Sequence, residues 1–173
     1  SAGSGSANGY TVETFTGTGS NALTFNSISA VLYGQISGTG KFSVNASGGL
    51  ITLSGTNTYS GGTTISGGTL SVATISGNSS ASNLGVGNST ITLSGGAILS
   101  VTGTTTAVST NDNIVLAGNG TINNADSGGI TFTGNVSSSA ATGTQTLTLT
   151  GANATTFSTG VISDGSAGGK VAI

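Results

Sequence analysis

The sequence predicts an all-β protein folded as a right-handed parallel β-helix, also called a β-solenoid. Pairs of aliphatic residues separated by one polar residue, such as Ile51 with Leu53 and Ile91 with Leu93, are typical of strands with one buried side. Gly, Ser or Asn follows each pair and marks a turn. Thr, Val and Ile are abundant and Pro is absent, a composition that favours ordered strands over disorder.

The spacing of these pairs favours a coil over a hairpin. The second residue of successive pairs falls at Leu93, Leu116, Phe132, Leu149 and Ile173, at intervals of 23, 16, 17 and 24 residues. A hairpin returns its strand after a turn of about two to five residues, whereas one solenoid coil needs roughly 20 residues. Dividing the 173 residues by that period predicts roughly eight coils.

An antiparallel β-sandwich is the alternative fold, because it also contains many short strands at regular spacing. Its hairpins favour Asn-Gly or Asp-Gly turns. The sequence offers such turns at residues 8–9, 119–120 and 164–165. The choice between the two folds depends on whether the strands pair in parallel.

Within each predicted coil, alternate side chains point inward. Ile91 and Leu93 are therefore predicted to lie in the core, with Thr90, Thr92 and Ser94 facing solvent. Glycine pairs are assigned to the corners, where we expect positive φ angles and no room for a Cβ. These predicted structural turn positions are Gly61, Gly62, Gly67, Gly68, Gly95, Gly96, Gly128 and Gly129.

The chain is predicted to contain one β-solenoid domain, residues 10–173, preceded by a Gly/Ser-rich segment, residues 1–9. That composition is typical of a flexible linker, or of an arm that adds a strand to a neighbour. Because the sequence contains no Met, we expect a processed or excised part of a longer chain. No apolar run reaches the roughly 18 residues of a transmembrane helix, so no transmembrane segment is predicted.

Residues 49–72, GLITLSGTNTYSGGTTISGGTLSV, combine two strands around a TYSGGTT centre. This segment resembles the passenger-associated repeat of bacterial autotransporters. The preceding GQISGTG, residues 34–40, resembles the lead-in to that repeat, and residues 82–101 resemble the coil that follows it. The resemblance thus extends over residues 34–101. It implies a parallel β-helix passenger domain that is secreted or displayed on the cell surface.

The charged residues exclude several kinds of function. Two lysines and no arginine cannot neutralise a nucleic-acid backbone, so no nucleic-acid partner is expected. The absence of His and Cys excludes Ser-His and Cys-His nucleophile pairs and the usual zinc sites. Asp112 and Asp126 are the candidates for a paired-carboxylate site that cleaves polysaccharide, and Asp112 with neighbouring carbonyls is the candidate for a calcium site. Both lie in Asn-rich segments typical of turns, so we predict no catalytic, cofactor-binding or metal-binding residues.

We therefore expect a non-catalytic structural protein outside the cell or on the bacterial surface. It would either assemble end to end into a filament or form the stalk of an autotransporter-type adhesin. Its expected partners are copies of itself or adjoining coils of a longer chain, and host or cell-surface ligands. An end contact is expected because the strand-like terminus, residues 170–173, carries no Pro or polar cap.

An ice-binding or polysaccharide-binding β-helix is the alternative function. Thr146, Thr148 and Thr150 are spaced to face outward along one strand, and an array would need such a row on consecutive coils. Residues 114–116, Ile-Val-Leu, are predicted to interrupt that array.

Overall fold

The computed structural model describes residues 14–17, 22–26, 29–77, 79–87, 89–103, 106–125 and 127–173. These residues form a β-solenoid of about six turns, which confirms the predicted fold class. Strands numbered along the chain stack coil upon coil to make three faces. Across the described ranges we find no helix that could span a membrane. The predicted arm, residues 1–9, lies outside the described residues.

The first face is a continuous parallel sheet. It joins Phe42 to Thr63, Thr63 to Ile91 and Ile91 to Ile114, so that equivalent residues of successive coils lie directly above one another. Its strands are β2 (Ala22–Asn26), the first half of β5 (Lys41–Leu53), the first half of β6 (Thr63–Val72), β9 (Thr90–Leu93), β12 (Asn113–Leu116), β15 (Val136–Ser138) and β18 (Ile162–Ser163).

The second face is also continuous, because β5 and β6 turn a corner and contribute their second halves to it. A register shift between Asn45 and Leu50 in the β5–β6 pair marks this corner. The remaining strands are β3 (Ala30–Leu32), β10 (Ala97–Val101), β13 (Gly120–Asn124), β16 (Thr144–Gly151) and β19 (Lys170–Ala172).

The third face is interrupted. Its lower part pairs β1 (Thr14–Gly17) with β4 (Gln35–Gly38), and its upper part stacks β11 (Val108–Thr110), β14 (Ile130–Phe132) and β17 (Thr155–Phe157). Between them lies a small antiparallel hairpin made of β7 (Ala81–Ser82) and β8 (Gly85–Val86). All other strand pairs of the described residues are parallel, so the β-sandwich alternative is wrong.

The prediction of roughly eight coils is too high, because the intervals behind it compare different faces. Leu93 and Leu116 do pair, on the first face, whereas Leu149 pairs with Ile122 on the second face and Phe132 lies on the third. The intervals of 16 and 17 residues therefore measure part of a coil, from one face past a second to the third. Hydrogen-bonded partners on successive coils lie 21 residues apart near Gln35 but 26 or 27 apart in the later coils.

The core is a set of vertical columns of aliphatic side chains. On the second face, Leu53, Val72 and Val101 are at most 1% exposed and follow one another through three coils. Ile91 and Leu93 are buried on the first face, whereas Thr90, Thr92 and Ser94 are partly exposed. The predicted orientation of β9 is thus confirmed, and stability comes from apolar burial repeated in every coil.

The corner glycines serve two different needs. Positive φ angles occur at Gly62, Gly68, Gly95, Gly96 and Gly129. The positive φ predicted at Gly61, Gly67 and Gly128 is absent. A Cβ on Gly61 would lie 2.5 Å from the Gly40 backbone, and one on Gly128 would lie 2.3 Å from Ala107 N, so close approach of coils explains these two. Nothing in the structure explains glycine at position 67, where a Cβ would have ordinary contacts.

Candidate functional site

An aromatic column lies inside the lower coils. The ring centroids of Phe25 and Phe42 are 5.8 Å apart, and those of Phe42 and Tyr59 are also 5.8 Å apart. Such tilted pairs contribute beyond their buried area. The Tyr59 hydroxyl lies 2.8 Å from Thr63 Oγ1, and both residues are 2% exposed, so the buried phenol keeps a hydrogen-bond partner.

The glycine pairs around this column let the coils close tightly. Gly62 has a φ of +86°, and a Cβ there would lie 2.7 Å from the carbonyl oxygen of Thr90 in the next coil. Gly68 has a φ of +77°, and its Cβ would lie 2.0 Å from the carbonyl oxygen of Ala46. Both positions therefore require glycine for conformation and for space.

The break in the third face is filled by residues 74–77, 79–87 and 89, which we call the strap. Its apolar contacts are few: Ile75 and Leu84 are its buried aliphatic side chains among the described residues. Asn83 fixes its centre. The Asn83 Oδ1 accepts bonds from the backbone N–H groups of Ala73 at 3.1 Å and Thr74 at 2.9 Å, and its Nδ2 donates to the carbonyl of Gly55 at 2.9 Å.

Asn57 connects the strap to the coils below. This fully buried side chain accepts a bond from the Ile36 N–H at 2.8 Å and donates one to the Asn83 carbonyl at 2.6 Å. The Asn57 N–H donates to the Ser82 carbonyl at 2.7 Å. One asparagine thus joins three successive levels where no parallel strand covers the third face, and buried polar groups remain paired.

Electrostatics around Tyr59 follow from this burial. Burial raises the pKa of the Tyr59 phenol strongly, because the charged phenolate would be deprived of water. The hydrogen bond with Thr63 lowers that pKa, and the negative charge of Asp112 raises it. Tyr59 is therefore a neutral hydrogen-bonding group at physiological pH.

Asp112 holds the C-terminal end of the strap. Its carboxylate is 2% exposed and accepts bonds from the Ser89 N–H at 2.8 Å, the Ser89 hydroxyl at 2.9 Å and the Thr110 hydroxyl at 2.7 Å. The interpretation of Asp112 as an ordinary turn residue missed this burial. Its oxygens are occupied by donors of the chain itself, so the carboxylate serves as an anchor.

The other acidic residue of the described ranges, Asp164, accepts a bond from the Val171 N–H at 3.0 Å near the upper end of the solenoid. No group of three or more His, Cys, Asp or Glu residues that could hold a metal ion occurs in the described part of the chain. Asp126, the other candidate of the predicted carboxylate pair, lies outside the described residues. The geometry therefore supplies structural hydrogen bonds at Asp112 and gives no support to a two-carboxylate site.

A family comparison falls on this same region. Residues 46–72 match the passenger-associated-transport-repeat. The matched passenger repeat begins in β5 and contains Asn57, Tyr59, the glycine pairs 61–62 and 67–68 and all of β6. It therefore supplies Tyr59 of the aromatic column and the asparagine that bonds the strap to the coil below. This confirms the predicted resemblance at those residues. Searches of curated proteins and of solved structures found no match.

A shallow groove of about 530 Å³ runs along the corner between the first and second faces. Glycines of three coils, including Gly48, Gly68 and Gly96, form its floor, and Leu50 and Ile98 flank Thr69 on one side. Leu50 is 46% exposed. The groove contains no charged or aromatic side chain.

The threonine rows do not form a continuous array. Thr148 is exposed and stacks on Thr121, but Ile98 comes next in the same column, before Thr69. The predicted interruption at residues 114–116 lies on the first face instead, because β12 pairs with β9 and β15. No long hydroxyl lattice supports an ice-binding surface on this column.

The upper end of the solenoid is an open rung. The outer edges of β17, β18 and β19 pair with no strand of the described residues. Val161, Ile162 and Ile173 are 62%, 46% and 56% exposed in the same region. Unpaired backbone groups beside apolar side chains are a template for a further strand.

Sequence reasoning missed the strap and the Asn57–Asn83 contact. One signal was available: the aliphatic pairs at Leu70–Val72 and Leu99–Val101 are separated by a longer stretch than their neighbours. The structure pairs these two strands directly, so the additional residues form the strap.

Proposed function

We propose that this chain is a non-catalytic, rod-forming module of a secreted or cell-surface protein of the autotransporter passenger type. The match of residues 46–72, which form a coil inside a β-solenoid, is the observation that supports the proposal most strongly. Its surface groups are mainly hydroxyls, amides and backbone, and its buried carboxylate is used as a structural anchor. Stacked coils give length and stiffness without a large single core.

We further propose that the open rung, formed by β17, β18 and β19, pairs with a coil of a second copy of the chain. The unpaired edges and the exposed Val161, Ile162 and Ile173 support this assembly, because pairing would satisfy backbone groups and bury apolar area together. Growth by this contact gives a filament. If further coils of a longer passenger chain cover the same rung instead, the result is an adhesin stalk.

Sedimentation velocity and negative-stain electron microscopy of the purified chain over a concentration series test the proposal. We expect rods that lengthen with concentration at constant width. Ile162→Lys places a charge at the rung and should keep the rods short. Val115→Lys is the matched control, because Val115 faces outward in the middle of the first face. A chain that stays monomeric at every concentration would refute self-assembly, and rods of one uniform length would favour the stalk.

A further inference from the structure

We infer that the strap, residues 74–77, 79–87 and 89, opens as a unit while the rest of the solenoid stays folded, and that it gates Tyr59 and the strand edge at Asn57. The inference concerns a conformational device that directly follows the matched repeat, residues 46–72. It does not depend on the proposed assembly, because every group involved lies away from the open rung.

The bonding of the strap differs from that of the coils around it. The first and second faces are held by long parallel ladders, such as the eight residue pairs between β5 and β6. The strap contributes a hairpin of two paired residues on each strand and a single antiparallel bridge from Ser82 to Asn57. Segments with few buried apolar contacts and few ladder bonds are those that open at low free energy.

The turn of the strap also contains backbone strain. Ser79 has a φ of 60°, the one positive φ outside glycine among the described residues. A non-glycine residue in this region is disfavoured, and opening of the strap releases it. Ser79, Ser80 and Ala81 are exposed, so water can reach the turn.

Two polar anchors hold the closed strap. Asn83 binds its centre to Gly55 and Thr74, and Asp112 binds Ser89 at its C-terminal end. Hydrogen bonds of this kind can be exchanged for bonds to water when the strap opens. Asn83 makes the largest number of these contacts, so it is the main anchor.

Opening has a defined structural result. Tyr59 and Asn57 are 2% and 0% exposed when the strap is closed. The Val86 N–H donates to the Tyr59 carbonyl at 3.1 Å, and the Asn57 N–H donates to the Ser82 carbonyl, so both bonds break together. The open form therefore exposes a phenol and an unpaired strand edge, whereas β6 keeps its partners β5, β9 and β10.

Amide hydrogen exchange followed by NMR tests this inference, at a protein concentration where the chain is monomeric. In the unmodified protein, the amides of Asn57 and Val86 should exchange faster than those of Leu70 and Leu99, and with a weaker dependence on urea. Asn83→Ala should speed exchange at Asn57 and Val86 by about tenfold or more, the factor that corresponds to loss of one net hydrogen bond. Exchange at Leu70 and Leu99 should rise by no more than the same factor, because the lost bonds also lower the stability of the whole fold, and it should remain slower than exchange at Asn57 and Val86.

Asn135→Ala is the matched control, because Asn135 Oδ1 accepts a comparable coil-to-coil bond from the Val161 N–H at 2.9 Å outside the strap. It should leave Asn57 and Val86 unchanged. Thr74→Val, which removes a hydroxyl bonded to Asn83, gives a second test if Asn83→Ala does not fold. Identical exchange behaviour of the strap and β6 in the unmodified protein, or no faster exchange at Asn57 and Val86 in Asn83→Ala, would overturn the inference.

Discussion

Glycine satisfies a conformational need at some positions of this chain and a spatial need at others. Gly48 has a φ of +74°, and a Cβ added there would have no atom within 4 Å, so only its backbone conformation favours glycine. Gly68 has almost the same φ, +77°, but a Cβ there would lie 2.0 Å from the Ala46 carbonyl oxygen. The two residues therefore separate the cost of the left-handed conformation from the cost of coil-to-coil contact.

Gly48→Ala should lower the free energy of unfolding by about 1–2 kcal/mol, the cost of the left-handed conformation alone. Gly68→Ala should lower it by about 2–5 kcal/mol, because about 1–3 kcal/mol of overpacking is added. Urea denaturation of the two variants beside the unmodified chain measures both values. Equal losses would show that the corner relaxes around the added methyl group.

Tyr59 makes stability depend on alkaline pH. Because burial raises its pKa in the folded state, the phenol contributes its full stability below the unfolded pKa of about 10 and loses it as the pH rises through the folded pKa. Above pH about 10, each pH unit should reduce the free energy of unfolding by up to about 1.4 kcal/mol through this group.

The measurement is urea denaturation of two variants at a series of pH values. The first carries Tyr10→Phe and Tyr33→Phe, so that Tyr59 is its one tyrosine, and the second carries Tyr59→Phe in addition. Both chains contain the same lysines, so the difference between their pH profiles belongs to Tyr59. The additional Tyr59→Phe change should abolish this part of the slope while keeping the aromatic column with Phe42. Parallel profiles would contradict a buried neutral phenol.

At the level of elements, the strap depends on Asp112. Asp112→Ala should destabilise the fold by about 2–4 kcal/mol, because the partly buried N–H and hydroxyl of Ser89 lose their acceptor. Asp112→Asn should destabilise the fold less, because the amide oxygen can still accept bonds from Ser89. Its amide N–H can donate to the Thr110 hydroxyl, which is then able to donate its own hydrogen to the Ser76 carbonyl. Thermal denaturation of both variants, with Asp164→Asn as an exposed control, measures this order.

Added calcium distinguishes an anchor from a metal ligand in the same experiment. Because both oxygens of the Asp112 carboxylate accept bonds from the chain, calcium should not change the melting temperature of the unmodified protein. An increase that disappears in Asp112→Asn would show that the carboxylate binds the ion.

The sequence allowed the strands to be predicted but not the complete course of the coils. Alternation placed Ile91 and Leu93 inward because a strand has a fixed two-residue period. The length of a coil has no such fixed period, since each corner can take extra residues, and counting Phe132 with Leu149 mixed two faces. The strap depends on Asn57 and Asn83, 26 residues apart, and no local pattern links two such side chains.

At the scale of the whole molecule, charge contributes little to stability. The chain contains six charged side chains, and the one that is buried in the described residues, Asp112, is paired with neutral donors. The ladders and aliphatic columns that hold the coils together are not screened by salt. The solenoid therefore differs from proteins that rely on surface ion pairs.

Raising sodium chloride from about 0.01 M to about 0.15 M shortens the Debye length from about 30 Å to about 8 Å. We expect the free energy of unfolding to change by less than about 0.5 kcal/mol over this range. Urea denaturation at both salt concentrations measures the change. A shift of more than about 1 kcal/mol would show that the few charges act together.

The interrupted third face has a mechanical consequence. Force applied along the solenoid axis is carried between coils by the backbone ladders. At the level of the strap only two faces have such ladders. Both start from one strand, β6, which pairs with β9 on the first face and with β10 on the second. The rod is therefore weakest in tension at this level. Under a steady pull, the ladders from β6 to β9 and β10 would separate first, and the released strap would then lengthen the chain by its own contour, while the coils on either side remained folded.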